Sequence, residues 1–355
     1  MSKRPATSPR KWPLAVDLFS GCGGLTQGLK DARFRVVGAV EIDELAVETY
    51  RQNHPTVSHV WATDIRDIPG STILDAVGLK RGELDLVAGC PPCQGFSSMT
   101  TLNGSWEVFD SRNDLVDEYV RIVDELLPRA VLMENVPGLA KDARMKRIVK
   151  RLTELGYTGA SEWRILDASG FGVPQRRRRL VMAAIRGGKF DFAEPSPDRV
   201  TVRTAIGNLA RAGESGDPLH DVPETRSQTV RDLIRLIPED GGSRLDLGED
   251  RQLRCHQEST GFKDVYGRMA WDRPAPTITG GCFNPSKGRF LHPREHRSIT
   301  LREAALLQGF PPGYRFSLRK GKIAAAEMIG NAVPPKFVEH QARALRGALR
   351  AGESR

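Results

Sequence analysis

Between Leu14 and about Arg186 the chain alternates short, β-rich apolar runs with longer stretches of helical period, the pattern of a mostly parallel sheet flanked by helices. Leu14–Phe19 (LAVDLF) reads as a strand buried on both faces, followed by a glycine turn and a helix from Leu25. Arg35–Ile42 predicts a second strand, and Asp43 is placed to cap a helix running through Tyr50. Val60–Ile65 and Leu84–Gly89 predict strands three and four. Over Asn113–Leu127, apolar side chains recur at 115, 116, 119, 120, 122, 123, 126 and 127, a wide helical stripe closed by Pro128. Ala130–Val136 predicts a further strand, Ala143–Leu155 a helix and Arg179–Ile185 a late strand. Beyond Gly187-Gly188 the periodicity fades, and residues 190–295 are rich in proline, glycine and arginine, as in a separate loop-rich domain. Helical signals return over Leu301–Leu307 and Pro335–Leu349.

Composition changes this picture little. A hydrophobic share of 39% and a charged share of 27% over 355 residues suit one large or two smaller globular domains with a sizeable core. No run reaches the roughly 18–20 apolar residues needed to cross a bilayer, and residues 1–11 lack the apolar core of a signal peptide, so a soluble cytoplasmic protein is expected. The net charge of 53 − 44 = +9 permits a polyanionic partner such as nucleic acid, or simply serves solubility. The five cysteines do not cluster as a disulfide framework, and Cys90-Pro-Pro-Cys93 lacks the second ligand pair a zinc site needs; no metal is expected.

Candidate chemistry gathers at the strand ends. Asp17-Leu-Phe19-Ser-Gly21-Cys-Gly23-Gly24 forms a glycine turn before a helix, where a ligand can approach the backbone. Glu41-Ile42-Asp43 ends the second strand, where a carboxylate can bind ribose hydroxyls, and Asp64 ends the third. The glycine spacing does not match the dinucleotide fingerprint, and tight turns with helix caps would explain these residues nearly as well. After strand four, prolines stiffen the segment holding Cys93, which suits an aimed nucleophile; a small buried hydrophobe is the alternative. Cys93 is favoured over Cys90, which abuts the strand. Glu134, where strand five meets a proline turn, is a general acid or a turn cap. In Gln175-Arg176-Arg177-Arg178-Arg179, strand alternation sends Gln175, Arg177 and Arg179 to one face, enough to present two guanidiniums to a polyanion or a carbonyl oxygen.

The ordered set DLFSGCGG, EID, GCPPCQGFS, RND, MENVPG, QRRRR, REAALLQGFP and GNAVPP closely resembles the DNA (cytosine-5) methyltransferases, from Asp17 to about Phe337. The resemblance implies a Rossmann-like, S-adenosylmethionine-dependent sheet plus a smaller, loop-rich target-recognition domain. It places the catalytic domain at 1–187 plus 324–355 and the recognition domain at 188–323. Cofactor-binding positions carried over are Phe19, Gly21, Gly23, Gly24, Glu41, Ile42, Asp64, Ile65, Pro92, Asn331 and Val333. Cys93 becomes the nucleophile toward carbon 6 of a flipped cytosine, Glu134 the partner of ring nitrogen 3, and Arg179 with Arg177 the contacts of its carbonyl oxygen. Double-stranded DNA is the implied partner, approached by Gln94, Ser97, Gln175, Arg268, Arg273, Thr277, Ile278, Thr279, Lys287, Arg289 and Arg297. S-adenosylhomocysteine would be the product. A monomeric, nucleoid-associated modification enzyme is expected, with a cognate restriction endonuclease as a possible companion. Alternatives are a transfer RNA methyltransferase of the same family, an inactive DNA-binding relative, and a thiol–disulfide protein using Cys90 and Cys93.

Overall fold

The computed structural model describes residues 11–92, 115–248 and 264–353. Seven strands form one sheet: β1 (Leu14–Leu18), β2 (Arg35–Glu41), β3 (His59–Ala62), β4 (Leu86–Gly89), β5 (Ala130–Asn135), β6 (Arg164–Asp167) and β7 (Arg178–Ile185). Their spatial order is β3-β2-β1-β4-β5-β7-β6. The first five strands of that order are parallel, and β7 runs antiparallel to both β5 and β6. Chain order reverses between β1 and β4, so the crevice beyond their carboxyl ends is the place where a sheet of this kind receives ligands.

Both faces of the sheet are covered, which is why β1, β4 and β5 read as continuous apolar runs. Along β1, Leu14, Val16 and Leu18 enter one core with helices α3 (Gly70–Val77), α4 (Leu115–Leu126) and α5 (Ala143–Glu154). Ala15 enters the opposite core, built with α1 (Gly24–Asp31), α2 (Glu44–Asn53) and the carboxy-terminal helix. The expected helix from Ala143 is therefore present and ends one residue early. Residues 113 and 114 of the expected earlier helix lie outside the described residues.

Beyond the sheet come α6 (Val202–Ile206), α7 (Gln228–Leu236), α8 (Leu301–Leu307), α9 (Gly321–Asn331) and α10 (Pro335–Glu353). Helices α6, α8 and α9 share a third apolar core with Ala275, Ile278, Phe290 and Phe310. A small fourth cluster joins Leu233 and Ile234 of α7 to Val265, Tyr266 and Leu291. Helix α10 returns to the sheet and lies against α1, and the contact is close because Gly28 carries no side chain. A Cβ there would overlap the main chain at Pro335 and the side chain of Val338.

Two elements depart from the expected pattern. The third strand stops at Ala62, because Asp64 accepts a hydrogen bond from the Arg66 amide (2.9 Å) and starts a 3₁₀ turn over Ile65–Asp67. The edge strand β6 was not expected; its outer residues Arg164 and Ile165 are exposed and show no alternation for a pattern to detect.

Candidate active site

The cofactor-side turn begins where β1 stops at Leu18. Phe19 (φ 58°), Gly21 (φ 53°) and Gly23 (φ 95°) take left-handed conformations, which glycine adopts freely and phenylalanine does not. Gly21 faces open space. The Glu41 carboxylate ties this turn to the end of β2: Oε2 accepts from the Gly21 amide (2.8 Å), and Oε1 from the amides of Ile42 (3.0 Å) and Asp43 (2.9 Å). Burial raises the Glu41 pKa, while those amides pull it down. Ile42 stands beside it with 62% of its surface exposed, an apolar side chain without a cover. Asp43 caps α2 as expected, accepting from the Ala46 amide (2.8 Å). Asp64 is held low by the forked Arg66 guanidinium, at 3.0 and 2.5 Å, and Ile65 behind it is buried.

The glycine turn is braced from beneath by residues that pattern reading did not single out. Asp17 is fully buried on the α1 face, where its Oδ2 accepts from Thr26 Oγ1 (2.6 Å), which in turn lies 2.8 Å from the Tyr50 hydroxyl. Burial drives the Asp17 pKa up to about 7. His54 Nε2 sits 3.1 Å from the Gly23 carbonyl oxygen and 2.9 Å from the Tyr314 hydroxyl, which donates to the Cys22 carbonyl (2.6 Å). Desolvation lowers His54 to about 4, so this brace is neutral. Val333 is buried and its carbonyl packs on Gly24, while Asn331 is exposed at the end of α9.

S-adenosylmethionine can be tested against these residues. Two buried oxygens, Asp17 Oδ1 and Ser20 Oγ, make no hydrogen bond, and Gly21 leaves space in front of the turn. A carboxylate and an uncovered aliphatic side chain follow at the end of the neighbouring strand, matching ribose hydroxyls and an adenine face. The residues present fit the cofactor.

The second half of the site spans β4, β5 and β7. Asn135 Nδ2 donates to the Pro91 carbonyl (2.9 Å), pinning the proline turn to the end of β5. Glu134, 5% exposed, lies between two neighbours: the Cys90 thiol donates to Oε2 (2.8 Å), and Arg179 Nε is 3.0 Å from Oε1. Burial, reinforced by the adjacent carboxylate, pushes the Cys90 thiol well above its ordinary range. Pro92 is half-buried at the end of this turn. Cys93, Gln94 and Ser97 lie outside the described residues.

Gln175 and Arg177, just before β7, are buried, and Arg179 at its start is half-buried while Arg176 and Arg178 are exposed, the in-and-out order that the spacing predicted, but only Arg179 meets Glu134. Arg177 is bonded to the main chain of two distant segments. Its guanidinium donates to the carbonyls of Ile278 and Gly330, both at 3.0 Å, and burial beside Arg179 lowers its pKa to about 9.

The expected DNA contacts divide sharply. Gln175 is fully buried, bonded to Gln308 Oε1 (2.5 Å), the Leu307 carbonyl (3.3 Å) and the Ile278 amide (2.7 Å), so it cannot reach a duplex from this position. Ile278 is likewise buried. Arg268 has no exposed surface: its guanidinium donates to the carbonyls of Ile234, Ile237, His292 and Glu295 and sits 2.9 Å from His296 Nδ1. Arg289 is spent on the carbonyls of Gly241, Gly242 and Arg268, and Arg297 on the Glu295 and Glu303 carboxylates. An arginine that satisfies loop carbonyls and one that reads phosphates look alike in sequence. Arg273, Thr279 and Lys287 are exposed, and Thr277 is half-buried with its hydroxyl on the Arg176 carbonyl (2.8 Å).

Among the described residues, no group of three or more histidine, cysteine, aspartate or glutamate side chains is arranged to hold a metal ion. No described helix is long and apolar enough to cross a membrane.

A doubly wound sheet with an open glycine turn at one strand end and a carboxylate–arginine pair at another is an α/β fold with its ligand crevice at the carboxyl ends of the strands. The comparisons make this specific. The family model for C-5 cytosine-specific DNA methylases matches residues 15–347. The type II methylase M.HgiDII of Herpetosiphon aurantiacus is 34% identical over 334 residues, covering 90% of this chain and 91% of that protein. The type II methyltransferase M1.HphI of Haemophilus parahaemolyticus is 34% identical, covering 93% and 86%. Among solved structures, a prophage-encoded E. coli chain described as a DNA modification methyltransferase superposes with a TM-score of 0.71 at 25% identity, covering 95% of this chain and 99% of that one. The S. pombe Dnmt2 methyltransferase shares the fold, with a TM-score of 0.60 at 20% identity and coverage of 94% and 98%. This chain belongs to the C-5 cytosine-specific DNA methylase family, and it is a DNA (cytosine-5) methyltransferase.

Proposed function

We propose that the enzyme methylates carbon 5 of one cytosine within a specific double-stranded DNA sequence, as the modification partner of a restriction enzyme or as an independent methylase. The observation that carries this reading is the Glu134–Arg179 pair at the ends of adjacent strands, with the Cys90 thiol on the same carboxylate. When bound, S-adenosylmethionine supplies a methyl group on a sulfonium centre. Phe19, Gly21, Gly23 and Glu41 would hold it at the glycine turn, with Ile42 against the base and Asp64 toward its amino group.

Carbon 5 of cytosine is a weak nucleophile. The Cys93 thiolate would add to carbon 6, making a carbon–sulfur bond and turning carbon 5 into an enamine-like nucleophile. Glu134 would bind or protonate ring nitrogen 3, stabilising the charge that builds up on addition, and Arg179 would orient Glu134 and the base carbonyl oxygen. After methylation, loss of the carbon 5 proton would expel Cys93. None of these atoms is accessible within a duplex, so the base must be flipped out.

We divide the chain into a catalytic part, 1–187 plus 324–355, and a recognition part, 188–323; the second boundary falls within α9, whose Ala325, Ala326 and Ile329 pack in the third cluster. Helix α10 lies on α1, while residues 202–316 supply most of the third and fourth apolar clusters. The exposed Arg273, Thr279 and Lys287 are the DNA contacts this arrangement favours.

The test is methylcytosine sequencing of DNA from a methylation-free host expressing the chain, beside a Cys93→Ala control. Methylcytosine confined to one short motif and absent from the control is expected. Unmodified DNA together with methylated transfer RNA would overturn the proposed substrate.

A further inference from the structure

We infer that Cys90 is a positioning residue: its thiol, donating to Glu134 Oε2 across the β4–β5 edge, sets the plane of the carboxylate that meets the target base. This rests on the reaction proposed above and goes beyond it, because that reaction uses only the second cysteine of the turn.

The argument begins with strand order. β4, β5 and β7 are consecutive neighbours in the sheet. Cys90 follows β4, Glu134 lies near the end of β5, and Arg179 lies near the start of antiparallel β7. The carboxylate is therefore gripped from both sides, with the thiol 2.8 Å from Oε2 and the guanidinium 3.0 Å from Oε1. A carboxylate oxygen can accept twice. The thiol occupies one acceptor position on Oε2, and Oε1, paired with Arg179 by charge but hydrogen-bonded to no group, stays open, so each oxygen can meet one of the two donors of a cytosine edge, the exocyclic amine and a protonated ring nitrogen 3. With Oε1 held alone, the carboxylate could swing about that single anchor, and misorientation at a reacting centre is costly.

The thiol suits this task because it keeps its proton. Burial and the neighbouring carboxylate both oppose a thiolate, so Cys90 remains a donor and does not compete as a nucleophile. Main-chain geometry supports the same arrangement: Asn135, next to Glu134, anchors the Pro91 carbonyl, which fixes the Cys90 side of the contact to the Glu134 side.

The experiment compares wild type, Cys90→Ala and Cys90→Ser in single-turnover methyl transfer to unmethylated DNA, with cofactor and DNA affinities measured separately. The S–H stretch of Cys90 is isolated as the infrared difference between wild type and Cys90→Ala. Expected are a methyl-transfer rate about ten- to a hundredfold lower in Cys90→Ala, both affinities unchanged within about twofold, and recovery to within roughly threefold of wild type in Cys90→Ser. The S–H band should lie at the low frequency of a strong donor and move up in Glu134→Gln. A wild-type rate in Cys90→Ala, a Cys90→Ser enzyme as slow as Cys90→Ala, or a band insensitive to Glu134→Gln would each overturn the inference. A wild-type enzyme that binds cofactor and DNA but methylates no cytosine would sink the functional reading instead, and the S–H band would then decide the contact by itself.

Discussion

Asp17→Asn should stabilise the protein above neutrality and leave it unchanged in acid. Asp17 is wholly buried, and its carboxyl rises from an ordinary 3.8 to about 7. The folded state thus binds this proton more tightly than the unfolded state. Its contribution to stability is fully present below about pH 3.8 and is lost progressively as pH rises through about 7. At roughly 1.4 kcal/mol per pH unit, the loss approaches about 4 kcal/mol once both states are ionised. Asparagine can still accept the Thr26 hydroxyl bond but carries no charge at any pH. Urea denaturation of both proteins at steps between pH 4 and 8 gives the difference directly. The variant should match wild type at the acid end and gain up to about 4 kcal/mol at pH 8, with the midpoint moving and the slope constant. Parallel stability curves across that range would refute the assignment of a buried, neutral Asp17.

Other substitutions separate structural from functional arginines. Arg268→Ala strands four main-chain carbonyls, one of them in the last turn of α7, and should cost at least about 3 kcal/mol, seen as a lower melting temperature before any DNA is added. Arg273→Ala should change stability by less than about 0.5 kcal/mol and weaken DNA binding, measured by fluorescence anisotropy. Gly28→Val should force α10 away from α1 and lower stability by about 1–3 kcal/mol, with cofactor affinity falling alongside it in calorimetry. Glu134→Gln should slow methyl transfer roughly 10²- to 10⁴-fold in single-turnover assays while cofactor binding stays intact.

What pattern could and could not reveal follows from what each residue bonds to. The parallel strands were legible because burial on both faces leaves unbroken apolar runs, as in Leu86–Gly89. The glycine turn and its acid were legible because their spacing along two strands is local. Edge strand β6 was not, since half its residues face outward without alternation. Long-range polar bonds left no trace either. Gln175 and Arg268 belong to motifs that suggest DNA contact, yet both are consumed by acceptors supplied from distant segments, such as Gln308 and His292. Cys90 beside Glu134 joins positions 44 apart in sequence, a contact only the strand order β4-β5 creates. Arg177 and Arg179 are identical in type and two apart in sequence, and only the neighbouring segments decide that one meets main-chain carbonyls and the other Glu134.

The packing of Tyr314, Val333 and Val338 behind Cys22, Gly24 and Gly28 also orders events during synthesis. The glycine turn leaves the ribosome some three hundred residues before its backing does. Until α10 emerges, Gly28 faces water instead of a helix, and the turn lacks the wall that holds its left-handed backbone in place. A nascent chain therefore carries residues 90–93 well before the glycine turn has its full backing. A chain halted before α10 would carry the glycine turn without the helix that packs behind it.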